Sequence, residues 1–164
     1  MILVIGAKGG VGTTTVAAIL VRALHGVGLD AADGTLAARL DRPAVSLAQV
    51  ALLPRGPLQD TVDRVVQKRL TLLWTPECSF LSGPVLEFVQ AVDQRIEVVA
   101  DGGIEPPPEL ANRPARVLVV SVPGNPVAQY HEKRLLAQFP GARVLHPGGD
   151  GKIRAETVLS ALNI

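Results

Sequence analysis

A ten-residue segment near the start of the chain carries residue types that could bind phosphate. Residues 6–15 read GAKGGVGTTT. In the pattern G-x-x-x-x-G-K-[ST], glycines let backbone N–H groups converge on phosphate oxygens, the lysine serves the terminal phosphates and the hydroxyl binds Mg²⁺. Here Ala7 holds the first glycine position and Thr13 the lysine position, whereas Thr14 keeps the hydroxyl and Lys8 lies five residues before Thr13.

The flanking residues predict that this segment joins a strand to a helix. Residues 2–5 form a short apolar run typical of a strand buried in a parallel sheet, and from Thr14 the apolar residues have helical spacing. A helix N-terminus beside free N–H groups favours anions. The alternative is a glycine-rich turn without a ligand. The candidate nucleotide-binding residues are Lys8, Gly9, Gly10, Val11, Gly12, Thr13, Thr14 and Thr15.

The order KGGVG followed by hydroxyl residues resembles the deviant Walker A loop of the ParA/MinD group of P-loop ATPases. The threonine in place of the second lysine is most similar to the degenerate branch typified by the pilus-assembly proteins CpaE and TadZ. The resemblance implies ATP or ADP with Mg²⁺ as cofactors and a nucleotide-sandwich homodimer. It assigns Lys8 to the partner's phosphate, as a catalytic residue, and Thr14 to Mg²⁺. Thr13 departs from the pattern, which puts hydrolysis in doubt more than binding.

Two carboxylates extend the resemblance. Residues 96–103 read IEVVADGG, which is similar to the Walker B segment and makes Asp101 the candidate metal ligand; an ordinary Asp-Gly turn is the alternative. Residues 28–36 fall where the family has a second strand ending in a catalytic aspartate. Few apolar residues precede Asp33, so we expect a short edge strand or a loop. Asp33 is the better positional candidate for catalysis and Asp30 the other, with a solvated loop carboxylate as the alternative.

One further position differs from the family pattern. Many relatives end a late strand with an asparagine that contacts the base, whereas this chain has His146 there. A histidine could stack on or hydrogen-bond to a base, but an exposed turn residue is the more ordinary interpretation. The base is therefore inferred from the resemblance alone.

Composition favours one compact domain over residues 1–164. The chain is 48% hydrophobic and 19% charged, which is typical of a folded α/β protein. Its net charge of +1 gives no strong nucleic-acid signal, and basic groups on predicted helices are best explained as solvated faces. With one cysteine, Cys78, no signal peptide and no transmembrane segment evident, we expect a cytoplasmic protein.

The chain alternates predicted strands and helices. Further strands are predicted at residues 71–74, 96–101, 116–122 and 143–146, with helices at 61–70, around 85–92, at 127–139 and at 154–162. Residues 105–109, which read EPPPE, are predicted to be neither helix nor central strand. This order predicts an α/β fold in three layers, a mainly parallel sheet with helices on both faces, in a minimal P-loop form.

The function that these patterns favour is a nucleotide-binding switch. It would bind Mg-ATP, dimerise and recruit an unknown protein partner in spatial positioning or pilus assembly, with weak or absent hydrolysis. The main alternative is a non-hydrolysing scaffold that acts as a protein-interaction module. A third class, an enzyme acting on a small molecule, needs a second polar pocket that the sequence does not indicate.

Overall fold

The computed structural model describes residues 1–113 and 116–164, which contain a seven-stranded, fully parallel sheet. The strand order is β3-β4-β2-β5-β1-β6-β7. The strands are β1 (Ile2–Gly6), β2 (Val27–Asp30), β3 (Ala44–Ser46), β4 (Thr71–Leu73), β5 (Val98–Asp101), β6 (Arg116–Val120) and β7 (Arg143–Leu145). The helices are α1 (Thr13–Ala23), α2 (Leu36–Leu40), α3 (Leu47–Val50), α4 (Arg55–Lys68), α5 (Ser82–Asp93), α6 (Pro108–Ala111), α7 (Pro126–Gln138) and α8 (Ala155–Ala161), with a 3-10 helix at Pro76–Ser79.

Apolar residues cover both faces of the sheet. Successive side chains in a strand point to opposite faces, so Ile2 and Val4 join one core and Leu3 and Ile5 the other. Helices α1, α2 and α8 pack on the Ile2 side, and α3 to α7 contribute to the Leu3 side. The predicted three-layer α/β fold, with a parallel sheet between two helical layers, is confirmed.

Strand β2 differs from the sequence-based expectation. Residues 28–36 were expected to form a short edge strand or a loop, but residues 27–30 form an interior strand between β4 and β5, and all four are buried. Gly28 lies within this strand. A Cβ on Gly28 would lie 3.0 Å from the side chains of both Leu36 and Leu40, so the glycine allows α2 to pack closely over β2.

One smaller expectation also needs correction. The proline-rich segment was predicted to be non-helical, but its last proline, Pro108, begins the short helix α6. Proline is well suited to a first helical position, because its missing N–H would have no helical partner there. On α7, Tyr130 is 62% exposed, whereas Leu135 is buried.

None of the helices in the described residues is both long enough and apolar enough to cross a bilayer.

Candidate functional site

The glycine-rich loop, residues 6–15, connects the central strand β1 to α1. The sheet holds its first residues, because Gly6 N–H donates to the Gly103 carbonyl at 2.8 Å and Ala7 N–H to the Val120 carbonyl at 2.8 Å. Gly12, with φ of 96°, precedes the first helical residue. That φ favours glycine, and a Cβ there would lie 2.6 Å from Cδ1 of Ile153.

The backbone N–H groups of this loop are free to bind an anion. From Lys8 to Thr15, none of them donates to another group in the described chain; the first bond of the helix runs from Val16 N–H to the Gly12 carbonyl at 2.9 Å. The first turn of α1 contains no acidic residue. Unpaired N–H groups and the positive end of the helix dipole together attract negative charge.

Thr14 and Asp101 meet at the base of this loop. Thr14 Oγ1 donates to Asp101 Oδ2 at 2.7 Å, and Gly103 N–H donates to Asp101 Oδ1 at 3.1 Å. Asp101 ends β5, which lies between β1 and β2, and its side chain is buried. The fold therefore brings together the hydroxyl and the carboxylate that the sequence analysis assigned to Mg²⁺.

Burial raises the pKa of Asp101 above that of an ordinary aspartate. The hydrogen bonds from Thr14 and Gly103 act in the opposite direction, and the negative charges of Asp30 and Asp33 raise the pKa further. A bound divalent cation would compensate these costs, because it favours the ionised carboxylate.

The Thr13 side chain lies against the start of the glycine-rich loop. Its Oγ1 lies against Gly6, together with the Val11 side chain and the Lys8 carbonyl, and these atoms leave no room for a Cβ on Gly6. Val11 is itself buried in the core below the loop. The short Thr13 side chain thus packs within the loop.

A cleft of about 750 Å³ opens above the glycine-rich loop. Lys8 and Asp33 both line this cleft, and within the described residues the Lys8 ammonium donates to the Gly9 carbonyl at 3.4 Å. No described carboxylate forms an ion pair with Lys8. The predicted binding residues that line the cleft are Lys8, Gly9, Gly10, Gly12, Thr13, Thr14 and Thr15.

The two candidates for the catalytic aspartate have different surroundings. Asp30 ends β2, is 2% exposed and accepts hydrogen bonds from the N–H groups of Ala32, Gly34 and Leu36 at 2.9 to 3.2 Å. Asp33 is exposed and lines the cleft. Hydrogen bonds from the Thr35 hydroxyl and N–H hold the pKa of Asp33 below its usual value. Asp33 is therefore the carboxylate that could meet a ligand, although it lies beyond the end of the strand.

His146 lies outside this cleft. Its Nε2 is 3.2 Å from Glu132 Oε2 on α7, and its side chain borders a separate cavity formed by residues 145–154 and Thr157. The structure therefore places His146 next to a carboxylate and outside the cleft above the glycine-rich loop.

Sequence reasoning missed five residues that line the cleft: Ala32, Arg39, Gly103, Ile104 and Glu105. Arg39 lies on α2, and its Nη1 donates to Thr15 Oγ1 at 3.0 Å. Ile104 is 47% exposed. Only the correct placement of β2 would have indicated that α2 reaches α1, so no local signal identified Arg39.

The site combines a loop of unpaired N–H groups, which favour anions, with the buried carboxylate of Asp101 below it. Among the described residues, no three His, Cys, Asp or Glu side chains form a cluster that could hold a metal alone. Mg²⁺ bound with a nucleotide does not need such a cluster, since one or two carboxylates, water and phosphate oxygens complete its coordination. Thr14 and Asp101 fit this type of site.

Comparison with known proteins assigns no family. No protein-family model matches the chain, and the curated proteins contain no significant match.

Proposed function

We propose that this chain is a P-loop nucleotide-binding switch of the ParA/MinD type, with the CpaE/TadZ branch as its nearest resemblance. It binds ATP or ADP with Mg²⁺ on the glycine-rich loop. The observation that carries the proposal is the Thr14–Asp101 hydrogen bond of 2.7 Å below a loop of free N–H groups. This pair provides a metal site beside the phosphate cradle.

The proposed switch forms a homodimer when Mg-ATP is bound and then recruits a protein partner in spatial positioning or pilus assembly. Lys8, at the rim of the cleft and without an ion pair in the described chain, supports a role toward a partner's phosphate. The exposed side chain of Ile104 beside it supports an apolar contact with the second protomer of this homodimer. Hydrolysis is weak or absent, because Thr13 supplies no cation, and Asp33 is the candidate for orienting water.

Calorimetry with the full chain tests this proposal. We expect saturable binding of Mg-ATP that is lost with EDTA, and stabilisation of about 2.7 kcal/mol at one hundred times the dissociation constant. Thr14→Val should weaken Mg-ATP binding, whereas Thr157→Val, on the exposed side of α8, should not. The absence of both heat and thermal shift with Mg-ATP would overturn the proposal.

Light scattering and phosphate release test the two later steps. Mg-ATP should double the mass of the wild-type protein but not that of Lys8→Ala. The alternative function is a non-hydrolysing scaffold, which the replacement of lysine by Thr13 favours. Turnover above background that is abolished by Asp101→Ala would exclude the scaffold, whereas tight binding without turnover would support it.

A further inference from the structure

The cleft above the glycine-rich loop contains two basic side chains among the described residues, Lys8 and Arg39. Lys8 lies on the loop itself, and within the described residues its ammonium donates to the Gly9 carbonyl. Arg39 comes from α2, and its guanidinium lies beside Thr15 in the first turn of α1. The two cations therefore reach the cleft from different elements.

Neighbouring elements hold Arg39 in place. Its Nη1 donates to Thr15 Oγ1 at 3.0 Å, and Arg22 of α1 donates to its backbone carbonyl. Leu36 and Leu40, on the same short helix, are buried against β2 at Gly28. Arg39 is thus an exposed side chain on a backbone that the core fixes.

The guanidinium has unused binding capacity. Thr15 accepts its single side-chain hydrogen bond in the described chain, and no described carboxylate forms an ion pair with it. An arginine has five N–H donors in a planar fork that matches phosphate oxygens. Hydrogen bonds from Thr35 are the main cause of the lowered pKa of Asp33, and the Arg39 charge adds a smaller effect in the same direction.

We infer that Arg39 supplies the phosphate-binding cation that Thr13 lacks, so that the charge reaches the loop from α2 instead of from the loop itself. This inference rests on the proposed function, because it requires a nucleotide on the glycine-rich loop. Thr15 follows Thr14, whose hydroxyl is the proposed Mg²⁺ ligand. A guanidinium beside Thr15 therefore lies where the phosphates of a loop-bound nucleotide would lie. The ligand class is a nucleoside di- or triphosphate.

Titration calorimetry with Mg-ATP on the full chain tests the inference. Arg39→Ala and Arg39→Gln should weaken binding by about tenfold to one hundredfold, the value of a charge-assisted contact. Arg39→Lys should retain most of the affinity. Glutamine can still donate to Thr15, so Arg39→Gln separates the charge from that hydrogen bond. All variants should unfold at the wild-type temperature, because the side chain is exposed.

Two further variants complete the test. Arg64→Ala removes the same charge from an exposed position on α4 outside the cleft, and should change affinity by less than about twofold. Adding Thr13→Lys to Arg39→Ala should restore binding, because it returns a cation to the usual place. Wild-type affinity in Arg39→Gln, or an equal loss in Arg64→Ala, would overturn the inference and leave the proposed function standing. A wild-type chain that does not bind Mg-ATP would overturn both.

Discussion

Asp30 and Asp101 end adjacent strands in the same register, yet their hydrogen bonds differ. Both are almost fully buried. Asp30 accepts three backbone N–H groups and fixes the turn that leads to α2. Asp101 accepts one N–H and the Thr14 hydroxyl. The same residue type at neighbouring strand ends therefore holds a turn in one case and lies at the base of the glycine-rich loop in the other.

This difference has a physical cause in the hydrogen bonds available to each carboxylate. A buried carboxylate is stabilised when several donors satisfy its oxygens, and the turn after β2 provides three of them to Asp30. Asp101 has fewer donors, and burial raises its pKa. A buried acid that is left short of donors is typical of a functional group, because a bound cation can complete its surroundings.

Removing the Asp30 carboxylate should give the largest effect on stability. Asp30→Ala leaves three N–H groups without their acceptor, and we expect it to lower the free energy of unfolding by about 3 kcal/mol. Asp30→Asn keeps one acceptor oxygen and should lose less. Urea denaturation measures both.

A matched control for Asp30 is the exposed Asp60 on α4. Asp60→Ala should change stability by less than about 0.5 kcal/mol. If Asp30→Ala were as stable as Asp60→Ala, the structural role of Asp30 would be wrong.

Asp101→Asn should affect binding more than folding. An amide can replace both hydrogen bonds of the carboxylate but not its charge, so we expect the Mg²⁺ dependence of ATP binding to fall, with affinity lowered by about tenfold or more. Calorimetry with and without Mg²⁺ measures this change. Unchanged Mg²⁺-dependent affinity would contradict the metal role.

The stability of Asp101→Asn should depend on pH in a definite direction. A raised pKa means that the folded protein holds the Asp101 proton more tightly than the unfolded chain, so ionisation of Asp101 opposes folding. That cost is present at neutral pH and disappears as the pH falls through the raised pKa toward the usual aspartate range. Asp101→Asn should therefore stabilise the apo protein at neutral pH, and thermal unfolding should show the advantage vanish in acid. If Asp101→Asn were less stable than the wild type at neutral pH, Asp101 would be a structural carboxylate like Asp30.

The sequence predicted the central strands of the sheet well, because buried parallel strands are continuous apolar runs. β1 and β6 are such runs, and their positions followed directly. β2 was expected only as a short edge strand or a loop, because its four residues include Gly28 and end in Asp30. Its interior position goes with the packing of Leu36 and Leu40 over that glycine, and such long-range packing has no local pattern.

Long-range packing also determines which part of the site could be predicted from the sequence. The order of residues in the glycine-rich loop and the strand before Asp101 indicated the Thr14–Asp101 pair, because parallel strands present their carboxyl ends at one edge. Arg39 reaches that edge only through the contact of α2 with α1. A side chain brought in by tertiary packing cannot be assigned before the neighbouring elements are placed.

Substitution of Asp33 should have the smallest effect on stability of the three aspartates, in contrast to substitution of Asp30. Asp33 is exposed, and its oxygen accepts the Thr35 hydroxyl at 2.7 Å, so Asp33→Asn should change stability by less than about 0.5 kcal/mol at neutral pH. Its lowered pKa gives a small stabilisation that is present above the usual aspartate range and is lost as the pH falls through the lowered value. If Asp33 orients water, the variant should bind Mg-ATP as wild type but release less phosphate. A large loss of stability would instead place Asp33 with Asp30, as a carboxylate that holds the turn.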